Sequence, residues 1–475
     1  MYTTNIDNIS FEIKKLKNVS KKDLSFKGRD LLFGYACAAA QIENGLDDIW
    51  LDHAKEGKVA GFLEDDKLNI RNNFWDNPDS EMNFVYDTGV DIFRMGLDWQ
   101  RICPEGLDFD KEAITRYKEI LKDVKDNDMK TMVTLYHHSE PKWTHRQGSW
   151  KNSEMIDQFV RYSEFVAQEL NGYVDYWNTF NEVQMYITLT QLSNFWPSPK
   201  GKYNSLGLFN IGPIKGTYQK SMENVAKAHN RAYEAIKKYS SAPVSIAHNL
   251  AYYVGDGVIG RISAKMSWQK FNFLLVDLTK DHLDYLGINY YGAEVLKGFN
   301  LVLSEKFEYS DSGRAIYPKG LYEMIKIFYE KYKLPIFITE NGMSDAKDII
   351  REKYMLEHMK SLDLALSEDL PVLGYIWWSM TDNLEWADGY APKFGLVEVN
   401  RENKEITYKK RKSYYLYKKI VQDRIIDTTS QDTINDNFKN SIGLDRIMTR
   451  DRDAETALST RNQRTQKVKD INWSV

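Results

Sequence analysis

Cysteine is the scarcest reactive side chain in this sequence. Among 475 residues only Cys37 and Cys103 carry thiols, and neither stands in a Cys-x-x-Cys or Cys/His spacing. That excludes a disulfide framework or a thiolate zinc site as the organising principle and predicts free, buried thiols in a reducing compartment. Long apolar runs are also missing. No stretch reaches the roughly eighteen residues that a membrane-spanning helix needs. The opening stretch MYTTNIDNISFEIKKLKNVSKK lacks the apolar segment of a secretory leader. The expected location is therefore the cytoplasm, with a membrane-peripheral position as the alternative. Neither sign of charge prevails: 64 Lys+Arg stand against 68 Asp+Glu, for a net charge of -4. Such a balance gives no electrostatic footprint for nucleic acid as a partner.

What the chain does have is apolar and aromatic side chains. Hydrophobic residues make up 42%, including 30 Tyr, 21 Phe and 12 Trp, enough for a large core and for faces that stack on sugar rings. Eight short apolar runs recur along it: LLFGYACA (31–38), VDIFRMG (90–96), KTMVTLY (130–136), YWNTF (176–180), PVSIAH (243–248), YLGINYY (285–291), PIFIT (335–339) and VLGYIWW (372–378). Continuous apolar runs suit parallel strands covered on both faces. Between them lie amphipathic stretches such as NSEMIDQFVRYSEFVAQEL and SMENVAKAHNRAYEAIKKY, whose apolar residues recur at three and four. Eight alternations predict an α/β fold, a (β/α)8 barrel forming a single domain over 28–425, with long loops after the first and fourth strands. Residues 1–27 read as a lysine-rich arm. Residues 426–475 are polar and almost without aromatics, which predicts a mobile tail, an extended wrap, or a helix formed on contact with a partner. The tail is also where a peripheral membrane contact would be sought.

In such a barrel the carboxyl ends of the strands converge on one site. Here those ends supply Gln41, Arg94, His137, His138, Asn181, Glu182, Asn289, Tyr291, Glu340, Trp377 and Trp378, with Glu385 and Trp386 just beyond. A lone strand-end glutamate is ordinarily a salt-bridge partner or helix cap, and a lone Arg94 ordinarily structural. Two glutamates on separate staves are a different matter, because paired carboxylates are what glycosidic cleavage requires. Of Trp377 and Trp378, strand alternation allows only one to face a site. His137-His138-Ser139-Glu140 with His145 fits no strong metal spacing, and Asp382, Glu385 and Asp388 fail the EF-hand pattern. GDGVIG (255–260) matches a dinucleotide-binding pattern, but it follows a stretch that reads as loop and no clean helix is expected after it.

These residues together resemble a known family. NTFNEV and ITENG resemble the acid/base and nucleophile signatures of glycoside hydrolase family 1, the β-glucosidase family. AAAQIENG, FRMGLDWQRICP, TLYHH, LGINYYG and WWSMTDNLEWADGYAPKFGL follow in that family's order over roughly residues 28–425. The resemblance implies Glu182 as general acid/base and Glu340 as nucleophile of a retaining β-glycosidase of β-glucosidase or β-galactosidase type that needs no cofactor. It further implies that Arg94, Asn289 and Tyr291 support the nucleophile. Gln41, His137, Asn181, Trp378, Glu385 and Trp386 would bind the sugar. Val183 replaces the family's usual proline and His138 its usual tryptophan, which assigns both to the aglycone or acceptor side. The blocks around His138, GLDDIWLDHA and YSDSGRAIYPKGLY resemble the plant galactolipid galactosyltransferase branch. The expected partner is thus a small β-glycoside or a glycolipid. The alternatives to hydrolysis are galactosyl transfer between lipid head groups at the same site, and a non-catalytic sugar-binding barrel.

Overall fold

The computed structural model describes residues 22–60, 71–193, 195–199, 207–208, 215–401, 405–449, 464–470 and 473. Nearly all of the expected N-terminal arm lies outside the described residues. Eight parallel strands form the centre: β1 (Leu32–Cys37), β2 (Ile92–Gly96), β3 (Lys130–Tyr136), β4 (Tyr176–Asn181), β5 (Val244–Asp256), β6 (Leu286–Lys297), β7 (Ile336–Asn341) and β8 (Val372–Trp377). Each pairs in parallel with the next, and β8 returns to β1 through Gly374↔Leu32 to Trp377↔Tyr35. The sheet is therefore a closed (β/α)8 barrel with no open edge.

The apolar runs become strands because both faces of each are covered. Phe33, Ile92, Val133, Trp177, Ile246, Ile288, Ile338 and Ile376 are all fully buried. Helices Lys111–Asp126, Glu154–Leu170, Thr217–Lys237, Pro318–Tyr332 and Arg351–Ser367 form the outer layer. Their apolar stripes do the covering: Ile114, Tyr117, Ile120, Leu121 and Val124 of the first are buried, and the Asp110 carboxylate caps its start by accepting from the amides of Glu112 and Ala113.

Two strands outrun the barrel. After a shift of register at Leu250/Tyr252, β5 and β6 continue as a two-stranded ribbon, from Tyr252↔Ala293 to Asp256↔Lys297. The ribbon rises from the carboxyl end, and helix Gly257–Ser267 follows directly. The sequence expectation of a loop before GDGVIG and no helix after it was wrong. Beyond the barrel β5 has β6 as its strand partner, while β6 also pairs with Asn300–Leu301 and bridges to Ala315, and neither shows the long apolar run of its barrel portion. Trp377 packs against Tyr354 and Tyr417 on the outside, leaving Trp378 to face the site.

The described part of 426–475 packs on the barrel. Ile425–Ile426 pairs with Leu24–Ser25, and helix Thr428–Ser441 buries Ile434 and Phe438, the latter 4.9 Å from the Trp473 ring. Strand Asp445–Met448 pairs with Arg464–Lys467. From it, fully buried Arg446 reaches Asp311 (2.7 Å), Glu308 (3.2 Å) and Asp345 (3.7 Å). Among the described residues, no helix is long and apolar enough to cross a membrane.

Candidate active site

Strand-end irregularities present the two glutamates. Pairing of β4 with β5 shifts register between Asn178 and Asn181, and Glu182 then takes a left-handed φ of 45° while its amide donates to Ala247 O (2.8 Å). Pairing of β6 with β7 shifts just before Asn289↔Glu340. Shifts of this kind re-aim side chains at sheet rims, and a positive φ on a non-glycine residue costs energy of the sort stored at functional sites.

Both carboxyls face one cleft at the carboxyl end of the barrel, which encloses about 550 Å³ of atom-free space including its mouth. Of the residues expected at the site, His137, His138, Asn181, Tyr291, Trp378, Glu385 and Trp386 line this cleft with Glu182 and Glu340. Arg94 and Asn289 lie directly beneath, fully buried. Two expected residues are elsewhere. Val183 is fully buried at the start of helix Val183–Ile187, away from the cleft wall. Gln41 is buried too, its amide donating to Leu384 O (2.5 Å), and it forms no part of that wall.

A continuous network ties the cleft floor together. The Arg94 guanidinium donates to Glu340 Oε1 (2.6 Å), Asn181 Oδ1 (2.6 Å), Thr134 Oγ1 (3.0 Å) and Thr339 O (3.1 Å). The Tyr291 hydroxyl donates to Glu340 Oε2 (2.6 Å). The Asn289 amide donates to both Asn181 Oδ1 and Glu182 Oε1 (2.9 Å each), and Thr339 Oγ1 donates to Asn289 Oδ1 (2.7 Å). Since Asn181 Oδ1 accepts from two donors, its Nδ2 must be the donor to His137 Nε2 (2.7 Å). The proton of neutral His137 is therefore on Nδ1, a buried atom that has no partner among the described residues. Burial holds His137 well below its usual range and His138 down at about 3, so neither ring is charged.

The glutamates differ in what touches them. Burial pushes Glu340 up to about 7 against the opposing Arg94 charge, and the Glu182 charge adds to the upward push. Burial raises Glu182 as well, against Asn289 and Asn249. Two buried carboxyls on one cleft oppose each other's ionisation, so one of them keeps its proton longer. Its place follows from the donors. Glu340 receives a guanidinium and a phenol, one on each oxygen, whereas a neutral amide serves Glu182. The charge belongs on Glu340 and the proton on Glu182. Burial and the Glu340 charge hold the Tyr291 phenol protonated, keeping it a donor.

The rim adds residues not expected at the site: Asn249 on β5, Ser312 and Arg314 between β6 and the next helix, Phe394, and Asp388, which the sequence had raised only as part of an acidic cluster. Arg314 pairs with Glu294 of the ribbon (3.0 Å). Their block YSDSGRAIYPKGLY was conspicuous, but nothing in it marked Ser312 and Arg314 as cleft residues. His138 sits in an aromatic box, 4.8 Å from the Trp196 ring and 5.0 Å from that of Trp386, with Nε2 4.0 Å from Glu182 Oε2. His145 turns away to Glu140 (2.8 Å), and among the described residues no three His, Cys, Asp or Glu side chains are grouped to hold a metal ion.

The profile described as Glycosyl hydrolase family 1 matches residues 25–257 and 262–425. The chain belongs to glycosyl hydrolase family 1. Within it, the chain is 36% identical over 455 residues to the chloroplastic galactolipid galactosyltransferase SFR2 of Arabidopsis thaliana, covering 82% of this chain and 72% of that one. It is 38% identical over 363 residues to the beta-glucosidase-like SFR2, chloroplastic, of Oryza sativa subsp. japonica, covering 73% of this chain and 55% of that one. Among solved structures, the beta-glycosidase from Pyrococcus horikoshii superposes with a TM-score of 0.75 at 26% identity, over 87% of this chain and 98% of that one. This family 1 member is thus a glycoside hydrolase built on the (β/α)8 barrel, with a marked likeness to the galactolipid branch.

Proposed function

We propose that the chain cleaves β-glycosides with retention, by double displacement between Glu340 and Glu182. The supporting observation is the unequal pair: two buried carboxyls on one cleft, one bonded by the Arg94 guanidinium and the Tyr291 phenol, the other by a neutral amide. Glu340, ionised, attacks the anomeric carbon while Glu182 gives its proton to the leaving oxygen. Once the glycosyl ester forms, Glu340 is neutral and the upward pressure on Glu182 falls. Glu182 then takes the proton of the incoming hydroxyl, so one pair serves both halves. Asn181 and His137 would hold sugar hydroxyls, bonds that strengthen as oxocarbenium character develops. Replacing Glu340 by Gln should abolish turnover of an aryl β-glycoside, and a 2-fluoro glycoside should leave a covalent adduct on Glu340 of the parent chain. Undiminished turnover would overturn the reading.

A second reading concerns the acceptor. The likeness to a galactolipid galactosyltransferase and the apolar box around His138 favour delivery of a galactosyl unit to another sugar hydroxyl rather than to water. Product analysis with a β-galactolipid decides it: di- and trigalactosyl lipids support transfer, and free galactose alone excludes it.

A further inference from the structure

Helix Gly257–Ser267 is built inside out. It buries its small residues, Gly260, Ser263 and Ala264, and turns Val258, Ile259, Ile262 and Met266 to solvent, Val258 being 72% exposed. The inner side is tightly fixed: a Cβ on Gly260 would lie 2.4 Å from Leu296 O, and Ser263 Oγ donates to Gly298 O (2.5 Å). The helix thus has no freedom to roll its apolar side inward. The bond to Gly298 also brings in the β6 hairpin turn, whose Phe299 is 71% exposed. Ser263 is four residues from Ile259 and three from Met266, so the turn adjoins that side of the helix. Exposed Arg261, Lys265 and Lys297 flank these side chains, with the acid Asp256 at the start of the helix.

We propose that this helix and Phe299 form the surface by which the protein docks on an anionic lipid bilayer. Large apolar side chains presented outward beside a cationic margin are what an interfacial helix offers to acyl chains and acidic head groups. The placement suits a lipid-borne substrate. Strand β6, which runs on into the ribbon, also carries Tyr291, five positions before Leu296, a rise of at most about 17 Å. A bilayer under the helix would therefore face the mouth of the cleft. Surface and chemistry are separate claims, since docking needs neither glutamate.

The test is sedimentation of the full chain with vesicles of phosphatidylcholine alone and of phosphatidylcholine with phosphatidylglycerol, alongside aryl β-glycoside turnover. The parent should partition to the anionic vesicles, and Ile259→Ser/Ile262→Ser should lower that partition at least about tenfold with aryl turnover unchanged. In Ile262→Trp, the new indole should be quenched by brominated acyl chains. Unaltered partition in the double variant overturns the proposal, as does a larger loss from Leu444→Ser/Ile447→Ser on the tail hairpin. Self-association without lipid that the double variant abolishes would assign the surface to a second copy of the chain instead. Vesicle binding without aryl turnover would count against the proposed chemistry while leaving the surface intact.

Discussion

Removing one hydroxyl should narrow the pH range of activity from the acid side. In Tyr291→Phe, Glu340 Oε2 loses a 2.6 Å donor in a buried cleft and keeps only Arg94. A hydrogen bond to a charged group contributes about 1.5–3 kcal/mol. It acts on the ionised form of Glu340 alone, so its loss raises that carboxyl by about 1 to 2 pH units. The active form has Glu182 protonated and Glu340 charged, and acid removes it by protonating Glu340. With Glu182 neutral, its contribution to the upward push on Glu340 disappears, so the parent's acid limb lies below the value of about 7 found with both charges present. In the variant that limb should move toward higher pH by the full amount, and kcat/KM on the acid side should fall roughly 10- to 100-fold. The assay is aryl β-glycoside hydrolysis followed across pH, with kcat/KM taken at each point. An acid limb that stays in place, or moves to lower pH, refutes the account of how the nucleophile is kept charged.

The stability of the fold should respond in the opposite direction to activity when Glu340 becomes Gln. A carboxyl raised from 4.5 to about 7 in the folded chain stabilises it at low pH and loses that contribution as pH rises through the interval. Thermal melts should therefore find Glu340→Gln more stable than the parent above pH 7, by up to about 3 kcal/mol, with the difference closing toward pH 4.5. Arg446→Met takes from buried Glu308 and Asp311 the guanidinium that each meets, and chemical denaturation should register a loss of about 3–5 kcal/mol. Because the loop it clamps carries Ser312 and Arg314, the same variant should lower kcat/KM for a lipid acceptor more than for water. Gly342→Ala puts a Cβ 2.0 Å from Trp378 O. It should cost about 1–3 kcal/mol and raise KM for the glycoside by displacing the cleft floor.

The barrel was legible because each strand is covered on both faces and so is written as an uninterrupted apolar run, from Phe33 to Ile376. Glu182 and Glu340 drew notice only as a pair, because two acids at the ends of separate runs are what glycosidic cleavage requires. The ribbon was not legible past His248 and Tyr291, because it stands outside the doubly covered barrel and its sequence alternates with no clear period. Asn249, Ser312 and Arg314 went unnoticed with it, since they reach the cleft only through the ribbon and the loop beside it. Val183 failed for a geometric reason. The left-handed turn at Glu182 sends the carboxyl into the cleft and the next side chain into the core. The polar composition of 426–475 hid its anchors, because Phe438, Arg446 and Trp473 are single residues scattered through a solvated stretch.

Arg446 gives the order of chain synthesis a bearing on activity. The loop at the cleft mouth is made some 130 residues before the cation that neutralises its Glu308 and Asp311. A nascent polypeptide can close its barrel and set both glutamates in position while this loop still bears unbalanced buried acids. The charge balance of that loop is completed only after residue 446 has left the ribosome, and proteolytic trimming upstream of it would return the molecule to that unfinished condition.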